Sequence, residues 1–222
     1  HDVVEDTNIT LEDIENEFNK DLANLVDGLT KISGIEFGTR KEKQAGNFMK
    51  MLLSVAKDIR VIIIKFADRM HNMKTITHMP KIKQRRIAIE TRDVYSPLAH
   101  RLGMASVKSK LDDLAFQVLN KNEYDLIASK LKTTNRQRKR LINSYIEPIS
   151  KGLEKYKMDC NIFGRSKSFY SIYGKMLNRN KAFEDIYDLY AIRIIVEKVE
   201  SCYSALGVVH SIFTPVQERF KD

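Results

Sequence analysis

The hydrophobic pattern of the chain changes near residue 160, and this change constrains the fold more than any other feature. Before that point apolar side chains recur three and four residues apart, as in Leu11, Ile14 and Phe18, which is the spacing of one helix face. After it, short apolar runs such as residues 191–196 (AIRIIV) are typical of buried strands. We therefore expect an α+β chain whose first part is all-α and whose second part is α/β.

Local signals place the individual elements. Thr10, followed three residues later by Asp13, predicts the capped start of a helix. The apolar run at residues 61–64 fits a strand or a helix, and we predict a helix because no turn signal separates it from the polar residues that follow. A loop is expected from Gly28 to about residue 46. The other expected helices cover residues 11–29, 47–57, 135–156, 167–177 and 200–213. Two more helices are expected to start near residues 80 and 106, the first with an interruption or kink at Pro97. Strands are expected at 161–163 and 191–196, with a turn at Gly164.

Charge is distributed unevenly along the chain. Residues 1–30 contain nine acidic residues and one lysine, whereas residues 130–181 contain fourteen basic residues and three acidic ones. An acidic beginning suits metal cations, and a basic second half suits phosphates or nucleic acid. The distribution therefore predicts two sites with different ligands.

Two classes of protein are disfavoured by composition. The longest apolar run, residues 61–64, is far shorter than the ~20 residues that a membrane span needs, so we expect no membrane partner. Two cysteines cannot form a disulfide framework, and a cytoplasmic location fits them best.

The first residues of the chain form one candidate site. His1, Asp2, Glu5 and Asp6 share a face if this segment is helical. An imidazole beside carboxylates suits a divalent, fairly hard metal ion such as Mn²⁺. The alternative is that His-Asp here is a common dipeptide without a function.

A second polar face follows about seventy residues later. Asp68, His71 and Asn72 have the spacing i, i+3 and i+4, which also places them on one helix face. The apolar residues before them would bury this face next to the core. The alternative is a hydrogen-bonded cluster near a helix end.

A third candidate site lies in the basic half. Lys167, Ser171 and Lys175 are spaced by four, and with Arg165 they predict a clamp for polyphosphate at the start of a helix. Asp188 comes just before the predicted strand at residues 191–196, where a carboxylate can hold Mg²⁺. Neither a P-loop nor a GxGxxG motif is present. The alternative is a solvated basic surface or a nonspecific nucleic-acid face.

Several blocks together resemble the RelA/SpoT homologue family of bifunctional (p)ppGpp synthetase-hydrolases. In the first half these blocks are HDVVEDT, FADRMHNMKT and YSPLAHRLGM; in the second they are GRSKSFYSIYGKM, EDIYDLYAIRIIV and CYSALGVVHSIFTPVQERFKD. The resemblance covers essentially the whole chain. It implies an all-α HD-type hydrolase portion joined by helices to a partial α/β, nucleotidyltransferase-like synthetase portion. The implied domains are 1–100 (hydrolase), 101–157 (connecting helices) and 158–222 (synthetase).

The resemblance also implies roles for individual residues. In the hydrolase portion the implied Mn²⁺ ligands are His1, Asp2 and Asp68, the implied catalytic acids that orient and activate water are Glu5 and Asp6, and the implied nucleotide contacts are Asn72 and Thr75. In the synthetase portion the implied ATP-binding residues are Arg165, Lys167, Ser171 and Lys175, the implied Mg²⁺ ligand is Asp188, and the implied acceptor-loop residues are Arg219 and Lys221.

The function implied is (p)ppGpp metabolism in the stringent response. One activity is Mn²⁺-dependent hydrolysis of the 3′-pyrophosphate of (p)ppGpp, and the other is transfer of the pyrophosphoryl group of ATP to the 3′-hydroxyl of GDP or GTP. The family has a further histidine ligand before the HD pair, and a tyrosine and a glutamate after the RFKD block, so we expect both activities to be impaired in this chain. A ribosome partner is conceivable only through regions outside it. The alternatives are a generic HD-type nucleotide phosphohydrolase and a catalytically silent basic module that binds nucleic acid or has a regulatory role.

Overall fold

The structure is a computed structural model that describes residues 1–30, 40–131, 135–180, 182–186 and 188–220. The chain divides into two compact units, residues 1–115 and 116–222. The domain boundaries expected at residues 100 and 157 stay predictions. Among the described residues no helix combines the length and the apolar character needed to cross a membrane.

The first unit is built from helices, as predicted. They are α1 Asp2–Asp6, α2 Leu11–Glu17, α3 Lys20–Leu29, α4 Arg40–Lys57, α5 Arg60–Lys74, α6 Lys81–Glu90, α7 Ser96–Arg101 and α8 Ala105–Leu119, whose last residues belong to the second unit. A 3-10 turn, Ile76–His78, follows α5, and a π-helical turn, Thr91–Tyr95, joins α6 to α7.

The helix expected over residues 11–29 is wrong in one respect, because it is two helices. The Thr10–Asp13 capping box is present at the start of α2, as predicted. The helix then breaks before α3, where the side chain of Asn19 accepts a hydrogen bond from the backbone N–H of Leu22 and caps the new helix. Phe18 is 61% exposed at this break, although its spacing predicted a place on the buried face.

Two other expectations concern the segment before α5. The helix expected to start at residue 47 begins at Arg40, so the predicted loop is shorter; residues 31–39 of it lie outside the described part of the chain. The ambiguous run 61–64 is helical, as predicted, within α5. Val61 and Ile62 are buried there, whereas Ile63 is half exposed, which is the one-sided burial of a helix.

The core of the first unit holds α5 by its apolar side. Ile62, Phe66, Ala99 and Leu111 form a buried cluster, so α5 packs with α7 and α8. Pro97 lies in the first turn of α7, where its missing N–H costs nothing. The interruption predicted around it takes the form of the π-helical turn immediately before α7.

A partly buried arginine, Arg69, follows Phe66 by three residues and therefore lies on the same side of α5 as the apolar cluster. The guanidinium of Arg69 lies 3.3 Å from a carboxylate oxygen of Glu90 and 4.1 Å from the ring centroid of Tyr95. Glu90 ends α6 and Tyr95 ends the π-helical turn, so one side chain connects three elements. Because Arg69 adjoins Asp68, these contacts also set the rotation of the polar face of α5.

The second unit combines helices with a small sheet. Its elements are α9 Lys121–Leu131, α10 Asn135–Lys155, β1 Cys160–Ser166, α11 Phe169–Arg179, β2 Tyr190–Val196 and α12 Val199–Ile212, with 3-10 turns at Phe183–Asp185 and Gln217–Arg219. β1 and β2 pair antiparallel in a register that runs from Cys160 opposite Val196 to Ser166 opposite Tyr190. The change from all-α to mixed structure near residue 160 is thus confirmed.

The sheet is buried on one face. Ile162, Ile192 and Ile194 pack against a cluster of buried residues from α10 and α12, namely Ile149, Leu153, Ala205 and Val208. The other face is exposed, with Phe163 and Arg193 paired across the two strands. The strand predicted at residues 191–196 is present, but it is buried on one face only. Arg193, the charged residue of this run, lies on the exposed face.

The turn predicted at Gly164 is also wrong, since β1 continues through this residue to Ser166. A Cβ atom at position 164 would lie 1.9 Å from Cγ2 of Ile142 on α10. The glycine is therefore needed for the close approach of β1 to α10 rather than for a turn.

We expect Gly164→Ala to lower the free energy of unfolding by about 1–3 kcal/mol, because the added methyl group overpacks the contact with the buried Ile142. The matched control is Gly207→Ala within α12, where nothing lies within 4 Å of the added Cβ and helix propensity favours alanine by about 0.5–1 kcal/mol. Chemical denaturation of both variants measures the difference; a Gly164→Ala protein as stable as wild type would contradict the close approach.

We expect Arg69→Ala to destabilise the first unit by about 1–3 kcal/mol, because it leaves the carboxylate of Glu90 without this partner in a partly buried place. The control is Arg92→Ala, whose ion pair with the neighbouring Asp93 is half exposed; its effect should stay within about 0.5 kcal/mol. Thermal unfolding followed by circular dichroism distinguishes the two, and equal effects would argue against a special role for Arg69.

Candidate functional site

The first candidate site begins at α1, which is helical as predicted. His1 is the N-cap residue of α1, and its Nε2 lies 3.1 Å from Oδ1 of Asp2. The His1 side chain is largely buried and that of Asp2 is exposed. Glu5 and Asp6 follow in the same helix, with Glu5 the less exposed of the two.

The second polar face is on α5. Nδ2 of Asn72 donates a hydrogen bond of 3.0 Å to Oδ1 of Asp68, so these two side chains are joined on one face, as their spacing predicted. Thr75 is the C-cap residue of α5, and its hydroxyl donates to the carbonyl oxygen of His71 at 3.1 Å. Asp68 and Asn72 are half-buried, whereas Thr75 is exposed.

The donor set expected for Mn²⁺ is not assembled. The described residues contain no group of three or more His, Cys, Asp or Glu side chains placed to bind one metal ion. His1 and Asp2 are in contact, but these two side chains and Asp68 are not arranged as three donors around one ion. Their role as ligands stays a prediction.

The third candidate site is assembled in the second unit. Nζ of Lys167 lies 2.8 Å from Oδ2 of Asp188, and Nζ of Lys175 contacts the same oxygen atom. One ammonium group from just before α11 and one from within α11 thus converge on one carboxylate. Spacing alone placed both lysines on one helix face, but Lys167 precedes α11, which starts two residues later than expected.

A backbone hydrogen bond brings Lys167 to the end of the sheet at which Asp188 lies. The N–H of Lys167 donates to the carbonyl oxygen of Leu189 at 2.8 Å, which extends the β1–β2 ladder by one step beyond the pair Ser166–Tyr190. Asp188 therefore comes just before β2, as predicted, and at the same end of the sheet as Lys167.

Aromatic packing supports the helix that carries Lys175. The rings of Phe116 and Tyr173 are stacked with their centroids 4.8 Å apart, and those of Tyr124 and Phe169 are stacked at the same distance. Phe169 and Tyr173 belong to α11, and their partners belong to α8 and α9. These rings are core, so they are not the exposed stacking surface that an RNA-binding site needs.

The ion pairs shift the pKa values of both kinds of group. Partial burial acts to raise the pKa of Asp188, but the hydrogen bonds from Lys167 and Lys175 outweigh it and bring that pKa to about 2. Burial lowers the pKa of Lys167, its hydrogen bond to Asp188 opposes this, and the neighbouring ammonium group of Lys175 adds to the lowering. The geometry thus concentrates two positive charges around one negative charge.

The other two residues of the predicted clamp are Ser171 on α11 and Arg165 on β1. The N–H of Ser171 is bonded to Oγ of Ser168, the N-cap of α11, and Oγ of Ser168 donates to the hydroxyl of Ser171 at 2.7 Å. Arg165 is exposed on the open face of the sheet, the face that also carries Arg193. Ser171 is therefore engaged in capping the helix.

The acceptor-loop residues are described only in part. Arg219 ends the 3-10 turn Gln217–Arg219, and Lys221 lies outside the described residues. The role of Asp188 as a Mg²⁺ ligand stays a prediction; proteins commonly hold this ion by one or two carboxylates together with substrate phosphates and water.

The ion-pair centre itself was not predicted from sequence. The sequence indicated a phosphate clamp and a metal ligand as separate features, whereas the structure joins Lys167, Lys175 and Asp188 directly. Arg69 was missed as well, because its partners Glu90 and Tyr95 lie more than twenty residues away and the π-helical turn sets the direction of Tyr95.

Comparison with known proteins identifies two family regions. Residues 1–105 match the HD domain, and residues 164–222 match the region found in RelA/SpoT proteins. The first region contains α1 and α5 with their polar faces, and the second contains Lys167, Lys175 and Asp188.

Known proteins are similar to this chain along its entire length. It is 46% identical to a guanosine-3′,5′-bis(diphosphate) 3′-pyrophosphohydrolase of Spiroplasma citri, 44% to the bifunctional (p)ppGpp synthase/hydrolase SpoT of Escherichia coli K12 and 43% to a GTP pyrophosphokinase of Myxococcus xanthus. Each match covers 100% of this chain and 30–32% of the relative, so the chain spans about a third of their length. An HD domain and a RelA/SpoT region in one chain, with this identity from end to end, show that it belongs to the RelA/SpoT homologue family.

Proposed function

We propose that the protein acts in (p)ppGpp metabolism, as part of a bifunctional enzyme that removes the 3′-pyrophosphate of (p)ppGpp and transfers a pyrophosphoryl group from ATP to the 3′-hydroxyl of GDP or GTP. The observation that carries this proposal is the convergence of Lys167 and Lys175 at Asp188 inside the RelA/SpoT region. The names of the similar proteins supply the two reactions.

The synthetase role follows from the chemistry of the charges. The triphosphate of ATP needs cationic donors, and Lys167 and Lys175 provide two of them at one point. Exposed guanidinium groups of Arg165 and Arg193 extend the positive surface along the open sheet face. Asp188 is then the carboxylate available to Mg²⁺, which shares the phosphate charge when it is bound.

The hydrolase role rests on the HD region. The linked pair Asp68–Asn72 places a carboxylate and an amide on one half-buried face, which is suited to contacts with a cation and with a nucleotide. Glu5 and Asp6 remain the proposed acids that orient and activate water, and Thr75 a proposed nucleotide contact. Mn²⁺ at His1, Asp2 and Asp68 is part of the proposal but is not supported by the side-chain positions.

The proposed substrates are (p)ppGpp, ATP and GDP or GTP, and the proposed location is the cytoplasm. A generic HD-type phosphohydrolase is disfavoured because it does not account for the RelA/SpoT region. A silent nucleic-acid-binding module is disfavoured because the aromatic side chains beside the lysines, Phe169 and Tyr173, are engaged in the core.

We expect Lys167→Met and Lys175→Met each to weaken the binding of ATP with Mg²⁺ about 10- to 100-fold, the usual worth of a charge-assisted contact. Isothermal titration calorimetry measures this binding without requiring turnover. The matched control is Lys151→Met on α10, which removes the same charge from an exposed pair with Glu147 and should leave binding within about twofold.

The same titrations distinguish the proposed ATP site from a diffuse basic surface and from a nucleic-acid-binding module. If all three lysine variants weaken ATP binding equally, the site is a diffuse basic surface and the proposal is wrong. A nucleic-acid module would instead bind RNA with a strong dependence on salt and would show no saturable preference for ATP.

A further inference from the structure

The carboxylate of Asp188 occupies the point between the two lysines at which the proposed ATP site needs a phosphate oxygen. Both lysines that are proposed to hold phosphate already direct their ammonium groups at one oxygen atom of Asp188. A phosphate oxygen is an acceptor of the same kind and charge as a carboxylate oxygen. The ion pairs with Asp188 and the contacts with phosphate therefore use the same donors.

Electrostatics explains why the lysines need an anion at this point. The side chains of Lys167 and Lys175 are only 20% and 30% exposed, so water screens their mutual repulsion incompletely. Two ammonium groups that meet at one point with so little hydration are costly to keep charged. Asp188 offsets that cost while no ligand is bound.

The Asp188 side chain is open to solvent. It is 54% exposed, more than either lysine, and it precedes β2 rather than lying within the ladder. A rotation of its side chain moves the carboxylate into water without breaking the sheet. The lysines, by contrast, are held by the β1 end and by α11.

We propose that Asp188 is an internal competitor for the phosphate-binding lysines, so that a polyphosphate binds by displacing this carboxylate from Lys167 and Lys175. This inference rests on the proposed ATP site. Displacement leaves an ionised carboxylate near the incoming phosphates, where it repels them, and a divalent cation held by that carboxylate would offset the repulsion. The same residue therefore opposes polyphosphate without metal and favours it with metal.

Binding of inorganic tripolyphosphate in the presence of a metal chelator tests the inference. We expect Asp188→Asn to bind tripolyphosphate roughly 2- to 30-fold more tightly than wild type, the effect of removing two partly exposed ion pairs. The control is Asp185→Asn, which removes the same charge from an exposed position three residues earlier and should change binding by less than about twofold. Isothermal titration calorimetry of the whole chain measures all three proteins, and circular dichroism checks that each is folded; Asp188→Ser serves if Asp188→Asn does not fold.

The outcomes separate this inference from the proposed function. If wild type binds tripolyphosphate and Asp188→Asn binds it equally or more weakly, Asp188 does not compete, and only the inference is overturned. If Asp185→Asn tightens binding as much as Asp188→Asn, the tighter binding comes from the change in net charge alone, and the inference is again overturned. If no variant binds, the lysines are not a phosphate site, and the proposed function fails with it.

Discussion

The antiparallel register of β1 and β2 is the constraint on which the second unit depends. It aligns Ser166 with Tyr190, so the residues just beyond each strand end, Lys167 and Asp188, arrive at the same end of the sheet. One more backbone bond, from Lys167 to Leu189, fixes them there. A shift of β2 by one residue along β1 would turn Ile192 and Ile194 from the buried face toward water. Burial of these isoleucines against α10 and α12 therefore also determines the geometry of the charged centre.

Much of the fold follows from local patterns in the chain, and the failures have physical causes. Helical periodicity correctly places α10, and the missing turn signal after residues 61–64 correctly places that run in the helix α5. The position of Asp188 before a strand is also correct. Gly164 predicts a turn because glycine favours turns, but the approach of Ile142 on α10 makes it a strand residue. Asn19 divides a continuous apolar stripe into two helices because its side chain caps α3.

The residue types of the candidate phosphate site could be predicted from the sequence, but the contacts between their side chains could not. Lysines, a carboxylate and the order of the sequence blocks indicate a phosphate clamp with a metal ligand. The direct pairing of Lys167 and Lys175 with Asp188 depends on a tertiary arrangement in which residues 13 and 21 positions apart meet. On α5 the pair Asp68–Asn72 follows from helical spacing, whereas the link from Arg69 to Tyr95 depends on a π-helical turn that no local pattern reveals.

The aromatic cluster behind α11 has an optical consequence. The chain contains nine tyrosines and no tryptophan, so its intrinsic emission comes from tyrosine alone. Tyr173 is stacked on Phe116, and Tyr170 and Tyr124 contact the same phenylalanine ring. Three of the nine emitters thus surround one residue behind the helix that carries Lys175, and unlabelled protein carries a built-in spectroscopic reporter of that helix.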